Sequence, residues 1–279
     1  MPASTLARRL ALPLSSPVSP SAAVDPAKPV VVALPDGATT TVFRLLDLQR
    51  GNPKLNKGLP HGYWTAGLSL IPARLSGRNL CPGSSPGCRA GCLNGGGKGG
   101  MRFVQSRRLA KALAWQQHPD WFRARLAREL TQFARKCGRA DLKPACRLNV
   151  FSDLAWERDA PELFAAPVQF YDYTAVWPRM RRFLAGGLPR NYTLCFSRKE
   201  TNEARCREAL AAGGTVGVVF AGHRPARFWG YRVLDGDAHD LRFLDVPGSV
   251  VGLSAKGKAR ADRTGFVVRT PELPCLTPQ

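Results

Sequence analysis

The fold class follows from the stretch "ACRLNVFSDLAWERDAPELFAAPVQFYDYT", residues 145–174, in which two short apolar segments each end in polar residues. Short apolar segments rich in β-branched and aromatic residues, with turn residues on both sides, predict buried strands. Four similar segments follow along the chain: "NYTLCFS" (191–197), "TVGVVF" (215–220), "SVVGLSA" (249–255) and "GFVVR" (265–269). Helical segments such as "WPRMRRFLAGG" (177–187) separate several of the predicted strands.

This alternation of strand and helix predicts an α/β fold with a mostly parallel sheet that is covered by helices. The length of the alternating region fits a (β/α) barrel-like sheet, complete or incomplete. An open doubly wound sheet is the alternative.

The domain boundary is predicted near residue 40. Residues 1–40 have the composition of a flexible tail rich in Pro, Ser and Ala, followed by a first strand, and 41–279 are predicted to form a single α/β domain. Residues 79–100 form a cysteine-rich loop inserted in that domain. The apolar stretch "LALPL" (10–14) is shorter than a signal-peptide core, so we expect a cytoplasmic protein, and no apolar run is long enough to span a membrane.

The formal net charge of +21 favours a polyanionic partner, with nucleic acid or a nucleotide as the first candidate. The best helical segment begins near Val104, and "HPD" at 118–120 predicts a break into two helices. Five arginines of this segment are predicted to contact nucleic acid: Arg107, Arg108, Arg123, Arg125 and Arg128. The alternative is a solvated basic face in a protein with arginine-rich coding.

Three cysteines, Cys81, Cys88 and Cys92, lie within twelve residues of one another in "CPGSSPGCRAGC". A reducing compartment disfavours a disulfide. Zinc sites usually contain a CxxC pair, which is missing here, although His61 or His118 could be a fourth ligand. A flexible loop containing Gly and Pro suits a [4Fe–4S] cluster with three thiolate ligands, and zinc or unligated thiols are the alternatives.

Polar residues follow three successive predicted strands, where function gathers in parallel α/β sheets. The predicted catalytic residues are Asp153, Glu157, Asp172 and Lys256. The predicted substrate-binding residues are Arg147, Asn149, Ser152, Tyr173, Ser197 and Arg198. Capping of the following helices is the alternative role for such residues.

Several motifs resemble a family of phage proteins akin to the gene-product-eighty-eight family. They are "NPKLNKG" (52–58), the cysteine trio, "RLN" with "SD" and "WE" after it (147–157), "FYDYT" (170–174), "NYTLCFS" (191–197) and "VVGLSAKGKARADRTGFVV" (250–268). The resemblance covers about 52–270 and implies a phage or prophage origin, hence the cytoplasm of a bacterial host. The cysteine loop beside an α/β sheet also resembles radical S-adenosylmethionine enzymes, which carry CxxxCxxC where this chain has Cx6Cx3C.

Three functions are consistent with these patterns. The first is a [4Fe–4S] enzyme, radical S-adenosylmethionine-like, that acts on a nucleic acid or nucleotide. The second is a non-catalytic basic nucleic-acid-binding protein in which the cysteines hold a structural metal. The third is a Mg²⁺-dependent nuclease that uses Asp153, Glu157, Asp172 and Asp237.

Overall fold

A computed structural model describes residues 25–48 and 53–269. The strands are β1 (Val30–Ala33), β2 (Thr39–Val42), β3 (Leu46–Leu48), β4 (Tyr63–Leu68), β5 (Lys143–Arg147), β6 (Gln169–Thr174), β7 (Tyr192–Ser197), β8 (Thr215–Ala221), β9 (Arg227–Phe228), β10 (Tyr231–Asp235), β11 (Val250–Ser254) and β12 (Val267–Arg269). The α-helices are α1 (Pro86–Ala90), α2 (Arg102–Gln117), α3 (Pro119–Arg139), α4 (Trp156–Asp159), α5 (Trp177–Leu184) and α6 (Glu203–Ala211). The 3₁₀ helices are Pro53–His61, Leu93–Gly95, Gly97–Gly100, Pro161–Ala165, Arg242–Leu244 and Gly257–Ala261.

The predicted break between two helices at 118–120 is confirmed. Pro119 occupies the first turn of α3, where its missing N–H costs nothing, and Asp120 favours the positive end of the helix dipole. Lys136 and Arg139 lie in the last turn, where the dipole favours cations. Helix α2 therefore ends at Gln117, and α3 begins at Pro119.

Strands β1 and β2 pair antiparallel in a small sheet of their own that packs against α2. Gln117 brackets the Ala33 backbone by accepting from its N–H and donating to its carbonyl, both at 2.9 Å. The indole of Trp121 donates to the Lys28 carbonyl at 3.0 Å. The residues predicted as a first strand thus lie in a docked hairpin, and the predicted tail over residues 1–24 lies outside the described residues.

The main sheet has ten strands in the order β3-β4-β5-β6-β7-β8-β11-β10-β9, with β12 beside β8. Interior neighbours are parallel, for example β6 and β7, where Asp172 lies opposite Leu194. Both edges are antiparallel, β3 against β4 and β9 against β10. The prediction of an α/β fold is confirmed, but the prediction of a mostly parallel sheet is wrong because the sheet is mixed.

A closed barrel, one form of the prediction, is not formed, since the sheet stays open in the described part of the chain, with β3 at one end and β9 at the other. The β9–β10 hairpin turns through Trp229 and Gly230, both with positive φ (56° and 85°), which suits a tight hairpin turn. The strands from β4 to β8 follow one another in chain order, unlike a doubly wound sheet, whose chain begins near the middle.

The two faces of the sheet carry different cores because successive strand residues point to opposite sides. Phe170 and Leu194 face the large core formed with the helices. Tyr171 faces a smaller cluster with Ala145 and Leu241. The 3₁₀ helix Arg242–Leu244 packs against β6 and β7 and covers part of this second face.

No helix within the described ranges, 25–48 and 53–269, combines the length and apolar character that a membrane span requires.

Candidate functional site

The cysteine loop lies across the carboxyl ends of the sheet strands. The Leu80 carbonyl accepts from the N–H of Asp153, just beyond β5, at 2.8 Å. A Cβ added to Gly83 would lie 2.8 Å from the Ala175 carbonyl carbon beyond β6, so the two backbones are in close contact. Helix α1 touches the 3₁₀ helix Gly257–Ala261, which follows β11. The loop therefore meets the strand ends where α/β proteins place their sites.

Helix α1, which carries Cys88, is fixed at its N-terminus. Ser85 caps it, and its Oγ accepts from the Cys88 N–H at 3.2 Å. Glu200, just beyond β7, accepts from the Ser85 hydroxyl at 2.5 Å and from the Gly87 N–H at 2.8 Å. A side chain on Gly87 would overlap with the Thr264 hydroxyl, so this position needs glycine. Burial alone would raise the pKa of Glu200, but these hydrogen bonds outweigh it and the pKa is lowered.

The three thiols are partly buried and close enough to interact electrostatically. The Cys81 Sγ accepts from the Ala73 N–H at 3.3 Å and donates to the Phe151 carbonyl at 3.2 Å. Burial raises the pKa of Cys81 to about 11 and also raises that of Cys92. In this arrangement no three His, Cys, Asp or Glu side chains of the described residues converge to hold a single metal ion.

Two cations lie beside the thiols. The Lys199 ammonium donates to the Cys88 Sγ at 3.3 Å, and both Lys199 and Arg108 oppose the rise of the Cys92 pKa. Arg108 also stacks over the Phe151 ring, with 4.1 Å from its guanidinium carbon to the ring centroid. Two cations therefore lie near Cys88 and Cys92, whereas the Asp153 carboxylate acts on Cys81 and adds to the rise of its pKa.

The two histidines considered as fourth ligands have other contacts. The His118 Nε2 lies 3.0 Å from the Val31 carbonyl in the N-terminal hairpin. The His61 ring meets the His239 ring edge to face, with 4.6 Å between centroids.

Beneath the cysteine loop lies a buried polar network centred on Asn149 and Asp172. The Asp172 carboxylate accepts from the Asn149 N–H at 2.7 Å, the Asn149 side-chain amide at 3.0 Å and the Tyr192 hydroxyl at 2.7 Å. The Asn149 amide oxygen accepts from the Ser152 hydroxyl and the Trp156 indole. Burial raises the pKa of Asp172 to about 6, against the lowering effect of nearby Arg179.

Arg179, which sequence reasoning missed, organises the other predicted carboxylates. Its guanidinium donates to Glu157 at 2.9 and 3.0 Å, to Asp153 at 2.9 Å and to the Tyr192 hydroxyl. Asp153 also accepts from the Ala175 N–H at 2.8 Å. The structure thus brings Asp153, Glu157, Asp172, Asn149 and Ser152 together, as partners in a buried network.

Arg147 and Tyr173 lie in a second cluster, on the opposite face of the sheet. Arg147 donates to Asp240 at 2.9 Å and stacks over the Tyr173 ring at 4.7 Å. The Tyr173 hydroxyl donates to Asp240 at 3.3 Å. Arg147 and Tyr173 therefore contact each other, but they do not contact the carboxylates of Asp153, Glu157 or Asp172.

Lys256 lies in a third cluster, where its ammonium is 2.5 Å from Asp237. Arg224 pairs with the same carboxylate at 2.9 Å. Burial alone would raise the pKa of Asp237, but hydrogen bonds from Lys256 and Ser254 hold it well below its usual range. A carboxylate bound by two cations gives no structural support to a magnesium site here.

Ser197 and Arg198 lie beside helix α1, which carries Cys88. The Ser197 carbonyl accepts from the Asn202 side chain at 3.0 Å, and Arg198 donates to the Phe266 carbonyl at 2.9 Å. Arg198 thereby connects the end of β7 to the segment before β12.

The five arginines predicted to contact nucleic acid occupy different surroundings. Arg107 and Arg128 are exposed, and neither forms an ion pair with another described residue. Arg108 is held in the cysteine loop, where it donates to Asn94 at 2.7 Å. Arg123 pairs with Asp120 at 2.5 Å. Arg125 pairs with Glu129 at 2.6 Å and binds backbone carbonyls of the N-terminal hairpin.

One sequence signal near the cysteines is the distribution of charge. No Asp or Glu occurs between Asp47 and Asp120, a stretch that contains the whole cysteine loop. The exposed cations around that loop are Arg74, Arg78, Arg89, Lys98, Arg102, Arg107, Lys258, Arg260 and Arg263. Asp262 lies between Arg260 and Arg263 in the sequence, but it is buried and its carboxylate accepts from the Val267 N–H.

Comparison with known families gives a match over residues 46–270 to the family described as Gene product 88. The chain belongs to the Gene product 88 family. The match begins at β3 and includes the cysteine loop, all three polar clusters and the main sheet. The predicted resemblance to this phage family is confirmed.

Neither the curated proteins nor the solved structures gave a match to this chain. The likeness to radical S-adenosylmethionine enzymes has no support from these comparisons, and the Cx6Cx3C spacing departs from theirs.

Proposed function

We propose that this Gene product 88 protein holds a [4Fe–4S] cluster on Cys81, Cys88 and Cys92 and binds nucleic acid on the basic surface around them. The observation that carries the proposal is the placement of three neighbouring thiols at the carboxyl ends of the strands, with Lys199 beside Cys88 and both Lys199 and Arg108 acting on Cys92.

The donor set favours an iron–sulfur cluster over zinc. Thiolates are soft ligands, and the neighbourhood offers three of them, whereas a structural zinc site takes four converging donors. In a cluster each thiolate binds a different iron atom, so the sulfurs need not meet at one point. The contacts of His61 and His118 elsewhere remove the two histidines named as a fourth zinc ligand.

The neighbouring cations suit a cluster that carries negative charge with its thiolates. Lys199 and Arg108 would offset that charge, and the Ala73 N–H at Cys81 is a hydrogen bond of the kind that tunes such clusters. When bound, the cluster would supply one iron without a protein thiolate, and this iron could bind an external ligand. S-adenosylmethionine is left out of the proposal because the cysteine spacing does not match that of the enzymes that use it.

Nucleic acid is the proposed partner because the exposed charges of the cysteine loop are basic, and the two carboxylates next to it, Glu200 and Asp153, are engaged by Ser85 and Gly87 and by Arg179. The stretch from Asp47 to Asp120 contains no carboxylate side chain, and exposed cations surround the cysteine loop. Exposed cations that lack protein partners are available to phosphates, and their contacts dominate nucleic-acid affinity. The cytosol of a bacterial host is the proposed location, since it keeps thiols reduced.

The buried carboxylates support the cysteine loop in this proposal. Asp153 binds Leu80 through its N–H and pairs with Arg179 through its carboxylate, so it connects the loop to the network. Glu157 and Asp172 reinforce the same network, which lies beneath the proposed cluster site. The nuclease hypothesis is not retained, because Asp237 and these three carboxylates already have protein partners.

The test is the metal content of protein purified without oxygen. We expect about four iron and four sulfide per chain and a broad absorption near ~400 nm, as thiolate-bound clusters give. Cys88→Ala should lose the iron and the colour. Cys137→Ala also removes one thiol, but from the core of α3, and should keep both.

A colourless protein with one zinc per chain that is lost in Cys88→Ala would replace the cluster by a structural zinc site. Equal iron content in Cys88→Ala and Cys137→Ala would also overturn the proposal.

A further inference from the structure

Three large apolar side chains next to the cysteine loop lie open to solvent. Leu93 is 37%, Met101 49% and Phe103 60% exposed. They alternate along the chain with the exposed cations Lys98 and Arg102. An exposed aromatic ring of this kind contributes little to the stability of the fold, and it lies among cations that form no ion pairs with acidic residues in the described part of the chain.

The segment that carries these side chains is held in place by hydrogen bonds and a tight turn. Asn94 is buried, and its side chain donates to Gln105 at 2.8 Å and accepts from Arg108 at 2.7 Å. A Cβ on Gly100 would lie 2.8 Å from the Gly95 carbonyl oxygen, so this tight turn requires glycine. The first turn of α2 is therefore fixed to the cysteine loop, and Phe103 is presented on a preorganised surface.

We propose that the junction from Leu93 to Arg107 binds the unpaired bases of a single-stranded nucleic acid, with Phe103 as the ring on which a base stacks. The inference rests on the proposed nucleic-acid partner and specifies its class. Single strands present both charged phosphates and accessible base faces, and proteins bind them with basic grooves and aromatic platforms. A duplex hides its base faces within the stack, so Phe103 would contribute little to binding it.

An anionic membrane would also attract cations, but it requires a continuous apolar face. The exposed residues in the first turns of α2 are Arg102, Phe103, Ser106 and Arg107, of which one is apolar. That composition suits a chain of phosphates with one base beside the ring.

Two other aromatic residues that lie between arginines in the sequence, Phe228 and Trp229, are engaged in the fold. Phe228 and Trp229 lie 4.4 Å apart between ring centroids and pack against the main core. Arg207 stacks over the Trp229 ring, with 4.9 Å from its guanidinium carbon to the ring centroid. Phe103 has no comparable ring contact with the described residues.

The experiment measures fluorescence anisotropy of a labelled single-stranded oligonucleotide of roughly 15 nucleotides, the upper range for one binding domain. Phe103→Ala should weaken binding about 5- to 150-fold, the effect of losing a stacked base, without changing the salt dependence. Phe103→Trp should restore affinity, and its fluorescence should be quenched on binding. Phe43→Ala, a change of another exposed phenylalanine (66%) in the N-terminal part of the chain, should have no effect.

Equal affinity of wild type and Phe103→Ala would overturn the inference and leave the proposed nucleic-acid partner in place. So would equal loss in Phe43→Ala, or affinity for the matching duplex as high as for the single strand. Binding of neither nucleic acid by the wild type at low salt would reject the proposed partner itself. If Phe103→Ala weakened binding only to vesicles of anionic lipid, the surface would belong to a membrane.

Discussion

Asn149 and Asp172 connect the three strands under the cysteine loop. Asn149 follows β5, Asp172 lies in β6 and Tyr192 begins β7, and all three meet through hydrogen bonds. Both oxygens of the Asp172 carboxylate accept hydrogen bonds, and these bonds offset the free-energy cost of burying the carboxylate. A substitution of Asp172 should therefore lower the stability of the fold more than it changes the affinity for a ligand.

Asp172→Asn should lower the free energy of unfolding by about 2–4 kcal/mol, because its new N–H₂ would face the Asn149 amide donor. The loss should depend on pH. Burial raises the pKa of Asp172 to about 6, so its protonation stabilises the folded protein below about pH 4 and this contribution is lost as the pH rises through 6. Denaturant unfolding at pH 4.5 and 7.5 should show the larger gap between wild type and variant at pH 4.5.

Asp141→Asn is the matched control, since Asp141 is exposed and its positive φ of 53° suits asparagine. Its effect should stay within about 0.5 kcal/mol at both pH values. A gap between wild type and Asp172→Asn that widens toward pH 7.5 would mean that the three donors outweigh burial.

At the level of elements, helix α1 is too short to be stable by itself. Its five residues hold their conformation through the Ser85 cap, Pro86 in the first turn and the Glu200 carboxylate at the Gly87 N–H. Glu200 comes from the end of β7, so the sheet fixes the orientation of the helix that carries Cys88.

Glu200→Ala should loosen α1 and leave the sheet intact, because it removes the acceptor for the Gly87 N–H and the Ser85 hydroxyl. Loss of such an N-terminal partner costs about 1–2 kcal/mol locally. Hydrogen exchange followed by mass spectrometry should become faster in residues 85–92 and stay unchanged in β6. Glu203→Ala is the control, since Glu203 forms a half-exposed ion pair with Arg207. If both variants exchange alike, Glu200 does not hold the helix.

At the scale of the whole molecule, two groups of basic residues in the described part of the chain have contrasting surroundings. One group surrounds the cysteine loop without acidic partners, and the other pairs internally to dock the N-terminal hairpin. Arg125 belongs to the second group, since it binds Glu129 and the carbonyls of Pro26 and Ala27. Glu129 in turn accepts from the Leu45 and Leu46 N–H groups.

Arg125→Ala should destabilise the protein by about 2–4 kcal/mol, because it leaves the buried Glu129 carboxylate without its cation. It should leave the salt dependence of oligonucleotide binding unchanged. Arg128→Ala, on the exposed side of the same helix, should cost less than about 0.5 kcal/mol. Unaltered stability with a salt slope reduced by about one would instead make Arg125 a phosphate contact.

The sequence by itself determined the α/β class, the six predicted strands, the helix break at Pro119 and the family. These features depend on local patterns: apolar runs, turn residues, and the fixed φ of proline. It also placed Asn149, Ser152, Asp153, Glu157 and Asp172 together, because the ends of neighbouring parallel strands meet at one edge.

Only the tertiary structure decided how the sheet ends and what the polar residues contact. β4 and the antiparallel edges went unrecognised because pairing joins segments that are distant in the chain, such as β4 and β5. Asp153 and Glu157 both pair with Arg179, which follows the next strand. Cys88 accepts a hydrogen bond from Lys199, which is more than a hundred residues further along the chain. Local propensity carries no information about such contacts, since burial and charge pairing are set when the chain packs.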